Sequence, residues 1–407
     1  MLMKGVIYFT WPMLRHVAKV YRMTAARRPR IVTVVGSLGK TTAARAIATA
    51  LDLPVEPKIE RNAFSYVALA LFRVRPWDKH AVIEVGIGRK GHMKAYATTI
   101  RPDIAVVTSI ASEHHRSLGD LSITRAEKAE MVRVLAPSGL AVLNGDDQNV
   151  IWMREMTRAH VITFGFAGTN DVRATDVILD WPHGTRFRIH VDGETREVRT
   201  HLIGRRFVYA VLAAVAVGLS EGFSLDVILE KLEPLSPTPE RLEPVRLATG
   251  AFLLRDECKS TLETIDAALD VMAEIPARRK IVVLGDVSEP PGSQGPIYRR
   301  LACRIAEIAT EAVFISANCH YYTAGAARAG MSRDAVTKAH TNLKKALLAI
   351  PADLGEGDVL LIKGRENQRL GRIALALMGR EVRCGILPCS VIPSIACEQC
   401  EMLEAID

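Results

Sequence analysis

The apolar positions of this 407-residue chain change their period several times. Over residues 6–23 ("VIYFTWPMLRHVAKVYRM") they recur at near-helical spacing, with Pro12 close to the expected helix start. This predicts a helix that either packs on the following domain or lies on a membrane surface. Further on, short apolar runs alternate with helical stretches. The runs "IVTVV" (31–35), "HAVIEVG" (80–86), "DIAVVTS" (103–109) and "GLAVLNG" (139–145) read as strands. Strands this uniformly apolar are buried on both faces, which predicts a parallel sheet wrapped by helices. Residues 171–203 differ. Apolar and polar positions alternate around Asp192-Gly193, which predicts an antiparallel hairpin, and an Ala- and Val-rich helix follows. Pro234, Pro237, Pro239 and Pro244 then mark a domain boundary. Beyond it, "KIVVLGD", "EAVFIS" and "DVLLIKG" predict strands of a second α/β unit. No repeat of solenoid length is visible.

Composition narrows the class. The length suits two or three domains. Hydrophobic residues at 49% and charged residues at 24% describe a globular chain rather than a disordered one. No window holds the roughly 18 unbroken apolar residues of a spanning helix. The N-terminus carries no secretory pattern, so the expected location is cytoplasmic. Net charge is +8, and the excess gathers at the front, where Asp52 is the first acidic residue. Such a front attracts nucleotide, an acidic substrate or an anionic membrane surface, or is a solvated helix face. No aromatic–basic interleaving accompanies it, so no nucleic-acid partner is expected.

The first chemical signal is Gly36-Ser37-Leu38-Gly39-Lys40-Thr41-Thr42, between a strand and an Ala-rich helix. Glycines let successive backbone N–H groups converge on phosphate oxygens, and the helix N-terminus adds partial positive charge. Lys40 would neutralise phosphate charge, and the Thr41 hydroxyl would ligate Mg²⁺. Position 34 is Val where the common phosphate-loop pattern has Gly. Glu84 ends a strand, where a carboxylate can reach Mg²⁺. His114 follows the next strand, Lys128 sits on a helix, and "GLAVLNGDD" ends a further strand.

The order Gly-x-x-Gly-Lys-Thr-Thr, Glu-Val-Gly, Arg-Pro-Asp-x-Ala-Val-Val-Thr, His, Lys-x-Glu, Leu-Asn-x-Asp-Asp resembles the Mur ligase superfamily. Within it, the chain is most similar to the branch that adds D-alanyl-D-alanine to the muramyl tripeptide. Later segments ("PTPERLEP", "RDECKSTLETIDAALDVM", "KIVVLGDVSEPPG", "VLLIKGRENQRLG") keep the family's order, so the likeness covers residues 30 to about 380. The resemblance implies an ATP- and Mg²⁺-dependent ligase that joins a carboxylate substrate to an amine, an amino acid or peptide, through an acyl phosphate. It also implies roles for single residues. Lys40 and its loop would bind phosphate, and Thr41, Glu84 and His114 would hold magnesium. Lys128 matches a lysine that several members carbamylate. Arg241 would reach the γ-phosphate, and Asp256 would bind the ribose. The implied fold is α/β: a phosphate-loop central domain with a mostly parallel sheet and a small antiparallel hairpin region, then a second Rossmann-like α/β domain. The expected divisions are a basic apolar segment (1–29), a central ATP-binding domain (30–240), a C-terminal α/β domain (241–380) and a Cys-rich tail (381–407).

The chain departs from the family pattern in three places. About 30 residues precede the phosphate loop where muramyl ligases carry a uridine-binding domain, so a substrate other than a UDP-muramyl peptide is expected. The family's His-Asn-x-x-Asn is replaced by Arg206-Phe207-Val208-Tyr209-Ala210 after Gly204-Arg205, so Arg206 or Phe207 is expected to stack on the base. Its Tyr-Asn-Ala-Asn-Pro is replaced by Cys258-Lys259-Ser260-Thr261-Leu262. Two other readings stand beside the ligase: a phosphate-loop NTPase or kinase, and a degenerate Mur-like binding subunit. Finally, Cys384, Cys389, Cys397 and Cys400 crowd the tail, and four thiolates suit tetrahedral Zn²⁺.

Overall fold

A computed structural model describes residues 2–55, 62–111, 120–385, 387, 389 and 396–404, with side chains from residue 10 onward. The chain divides into two compact units, Met1–Ser236 and Pro237–Asp407.

The first unit is built on an eight-stranded sheet of order β2-β1-β3-β4-β5-β6-β7-β8. Its strands are β1 (Arg30–Val35), β2 (His80–Glu84), β3 (Ile104–Val107), β4 (Leu140–Asn144), β5 (His160–Gly165), β6 (Val172–Asp180), β7 (Gly184–Val191) and β8 (Glu194–Thr200). The pairings from β2 to β6 are parallel; β6–β7 and β7–β8 are antiparallel. Alternation along β1 feeds two cores. Val32 and Val34 point to one face and Ile31 and Val35 to the other. The first face is covered by helices at Lys40–Ala50 and Arg205–Ser220, the second by those at Leu2–Met23, Ser65–Phe72, His92–Ile100 and Leu121–Arg133. We number these α2 (40–50), α1 (2–23), α3 (65–72), α4 (92–100) and α5 (121–133).

The expected strands and the 184–200 hairpin are present, turning at Asp192 and Gly193 with positive φ. Two strands of this unit went unread. His160 and Thr163 interrupt the apolar run of β5. A register shift between Thr175 and Ile178, with Asp176 at φ 54°, breaks the alternation of β6. One boundary needs correcting: α1 runs through Pro12 rather than starting near it. Proline removes one helical hydrogen bond, and the packing on either side of it offsets that loss. Trp11 meets the Tyr96 ring edge-on at 5.0 Å between centroids, and Ala18 is fully buried. Arg22 is buried, with Nε donating to the Ile100 carbonyl and Nη2 paired with Asp103 at 2.8 Å. Of the two readings of this helix, its packing on the domain that follows is therefore realised.

The second unit holds a six-stranded sheet of order β13-β12-β11-β14-β10-β9. The strands are β9 (Glu243–Arg246), β10 (Phe252–Asp256), β11 (Arg279–Leu284), β12 (Glu311–Phe314), β13 (Val336–Lys338) and β14 (Asp358–Lys363). All pairings are parallel except β9–β10. The tail closes on its own unit: Arg383 and Cys384 backbone N–H groups donate to the carbonyl of buried Leu403.

Candidate active site

The phosphate loop leaves β1 at Val35 and is stitched to the residues after β3. Ser37 N–H donates to the Ser109 carbonyl at 2.7 Å, and Leu38 N–H to Ser109 Oγ at 3.0 Å. Thr108 Oγ1 donates back to the Leu38 carbonyl at 2.6 Å. A Cβ at Gly36 would lie 2.0 Å from Thr108 Oγ1, so this close approach requires glycine. Behind it, Asn144 Nδ2 donates to the Thr108 carbonyl at 2.8 Å, and Asp147 accepts from Ile110 N–H. Thr108, Ser109, Asn144 and Asp147 were quoted within the sequence motifs but not recognised as the frame of the loop. Their shared signal is a run of short polar residues directly after two fully apolar strands.

Gly39, at φ 80°, turns the chain into α2, and a Cβ there would meet nothing within 4 Å. Lys40 Nζ donates to the Ser37 carbonyl at 3.2 Å, and Lys128 Nζ, from α5, donates to Ser37 Oγ at 2.9 Å. Both lysines are buried, at 6% and 1% exposure, as are Thr41 and Thr42. Two ammonium groups and a helix N-terminus converge on this loop, a combination that attracts anions, and the donor set fits a polyphosphate. Glu84 ends β2 beside Val34, two residues before the loop, and accepts from Asn62 Nδ2. The Glu84 carboxylate and the Thr41 hydroxyl are hard oxygen donors of the kind Mg²⁺ takes. His114 lies outside the described residues.

On the other side of the sheet's centre, Asp146 gathers four donors. These are Phe166 and Ala167 N–H, Asn170 Nδ2 and the Tyr209 hydroxyl. These hydrogen bonds outweigh burial and hold its carboxyl below the usual range, while burial, aided by Asp146, pushes the Tyr209 phenol up. The Arg205 guanidinium lies 3.9 Å from the Phe166 ring centroid, and Tyr209 meets that ring edge-on. Phe207 packs against the core. The cation–aromatic pair at this helix start is thus Arg205–Phe166, a partnership across 39 residues that the motif alone did not reveal.

In the second unit, Asp256 ends β10 and pairs with Lys363 of β14 at 2.7 Å. Burial raises its carboxyl, offset by Lys363, by the nearby charge of Arg241 and by the Leu242 N–H. Arg241 and Asp256, both expected at the site, are therefore brought together. The neighbours Arg255 and Glu257 form a buried pair at 2.8 Å on the opposite face of the sheet.

Among the described residues the zinc expectation finds no support. All four of the tail's cysteines are free thiols, and no three His, Cys, Asp or Glu side chains are arranged to hold a metal ion among the described residues. Cys384 Sγ instead accepts from Arg372 at 3.1 Å. Burial pushes the Cys397 thiol up to about 11, opposed by the nearby charges of Arg369 and Arg372 and aided by Cys389 and Cys400.

Comparison with known proteins agrees with this architecture. Residues 34–218 match the Mur ligase middle domain, and residues 240–366 the Mur ligase glutamate ligase domain. The chain belongs to the Mur ligase superfamily, whose members are ATP-dependent carboxylate–amine ligases. Within it, the similarity runs to the UDP-N-acetylmuramoyl-tripeptide–D-alanyl-D-alanine ligases. The Escherichia coli enzyme is 31% identical over 265 residues, covering 64% of this chain and 58% of that enzyme. The Mycobacterium tuberculosis enzyme is 29% identical over 381 residues, covering 87% and 74%. In fold, the chain superposes on MurF from Acinetobacter baumannii with a TM-score of 0.79 at 23% identity, over 90% of this chain and 80% of that one. For MurF ligase from Thermotoga maritima in complex with ADP, the TM-score is 0.75 at 17% identity.

Proposed function

We propose that this protein activates a carboxylate substrate with ATP and condenses it with an amine of an amino acid or peptide, in the cytoplasm where ATP is supplied. The observation that carries the reading is the meeting of Lys40 and Lys128 at Ser37, in the loop that opens α2. ATP supplies the phosphoryl group that turns the carboxylate into an acyl phosphate, leaving ADP; the amine then attacks the acyl carbon, expels phosphate and leaves the amide. The chain's part is positional and electrostatic. The helix N-terminus at Lys40–Thr42 would hold the phosphates, while the Ser37 and Leu38 N–H groups stay engaged by Ser109, and Lys40 offsets the charge that develops on the transferring group. Thr41, Glu84 and His114 would hold Mg²⁺, which stabilises the same charge when bound. In the second unit, Arg241 would approach the γ-phosphate and Asp256 the ribose.

The test is a screen of carboxylate and amine pairs for ADP formation, with the product identified by mass spectrometry. UDP-muramyl tripeptide with D-alanyl-D-alanine forms one arm and unrelated carboxylates the others. A ligase releases ADP and phosphate appreciably only when both partners are present. Lys40→Ala should lower turnover by roughly 10²- to 10³-fold, the usual loss for one preorganised transition-state donor. Phosphate release indifferent to both partners, or full turnover by the Lys40→Ala protein, rejects the reading.

A further inference from the structure

The buried face of α1 is explained by packing on α3 and α4; its other face is not. Met13, Val17, Val20 and Met23 follow one another at spacings of four, three and three, so they line one stripe of the helix. They stand 72%, 50%, 61% and 51% exposed. Beside them, α3 leaves Leu69 43% exposed. The Tyr21 hydroxyl, in the last turn of α1, donates to the Val74 carbonyl at 2.6 Å and so fixes the turn that carries Trp77, 76% exposed. These six make up half of the large apolar side chains exposed among the described residues. They share two adjoining segments of one unit. A patch of this kind on a folded surface marks an interaction site.

Charge identifies the occupant. Within the same segments Lys19, Arg27, Arg28, Arg73, Arg75 and Lys79 are exposed, against a single carboxylate, Asp78. Arg22 and Arg30 are spent internally, on Asp103 and Glu221. A second copy of the chain docking on this stripe would bring like-charged rims together. An anionic lipid surface instead meets apolar side chains with acyl chains, the indole with the headgroup boundary and the basic rim with phosphate. No helix of the described residues is long and apolar enough to cross a membrane. We propose that the exposed stripe of α1, with Leu69 and Trp77, seats this protein on the surface of anionic phospholipid bilayers. The proposal is independent of the ligase reading, because it concerns a different face and requires no nucleotide.

The experiment is vesicle flotation of the full chain without ATP, comparing phosphatidylglycerol–phosphatidylcholine vesicles with pure phosphatidylcholine. Association with the anionic vesicles should be at least about tenfold stronger and should weaken as salt screens the rim. Trp77, an exposed indole in solution, should shift its emission to the blue on binding. Val17→Asp combined with Val20→Asp should cut association about tenfold or more, with an unchanged circular dichroism spectrum because both side chains are solvent-facing. Trp77→Ser gives a second readout away from the helix. Equal partition to neutral vesicles, unaltered binding by both variants, or self-association in place of vesicle binding overturns the proposal.

Discussion

Ser37 is where the site's two lysines meet, and each uses a different atom of it: Lys40 the carbonyl, Lys128 the hydroxyl. An ammonium at position 128 is a donor only, whereas a carbamate at the same nitrogen would present acceptor oxygens suited to a hard metal. If Lys128 serves as a carbamate, Lys128→Ala should lower ligation by roughly 10²-fold. Millimolar acetate or formate should then restore part of it. A Lys128→Ala enzyme with normal rates and no response to small carboxylates would show that the residue only packs. The two lysines also differ in how far the sequence exposes them. Lys40 is legible from its own neighbours, since strand, glycines and helix surround it. Lys128 looks like any helical surface lysine until the chain folds it onto a residue 91 positions earlier, and the family's motif order alone picks it out beforehand. Arg205 shows the same limit: its partner Phe166 lies on a different element, and no local spacing connects them.

Among the elements, β10 is the most consequential in the second unit and was not legible as a strand. It reads Phe-Leu-Leu-Arg-Asp, and its charged end hid it from a search for apolar runs. The pleat then sends Asp256 to Lys363 on one face and buries Arg255 with Glu257 on the other. Burial dominates over the Arg255 charge and pushes the Glu257 carboxyl from its ordinary 4.5 up to about 8. A carboxyl raised on folding binds its proton more tightly in the native state than in the unfolded one. Stability is therefore fullest below about pH 4.5 as far as this group is concerned, and it falls as pH rises toward 8. Glu257→Gln, which keeps the shape and removes the ionisation, should flatten that part of the profile in thermal denaturation between pH 5 and 8. Superimposable profiles for the two proteins would show that Glu257 is already ionised in the folded state.

At the scale of the whole molecule, the parallel cores were legible because a strand buried on both faces has to be apolar, as β3 is throughout and β4 is up to Asn144. The sheet margins were harder to read, since a strand with one wet face and a bulge carries little pattern of its own. One of those margins has a further consequence. Strand β8 ends the eight-stranded sheet, so one side of its backbone has no neighbouring strand, the usual starting point for chains joining edge to edge into aggregates. It alternates Glu194, Arg196, Glu197 and Arg199 along this edge, and Arg196 is held by both Glu194 and Asp226 at 2.8 Å. An incoming strand would have to strip water from those charges to make its hydrogen bonds. Replacing Arg196, Glu197 and Arg199 with threonine should leave ligation intact, yet produce concentration-dependent light scattering absent from the parent protein. A charged margin of this kind discourages a ninth strand from another copy from pairing along β8.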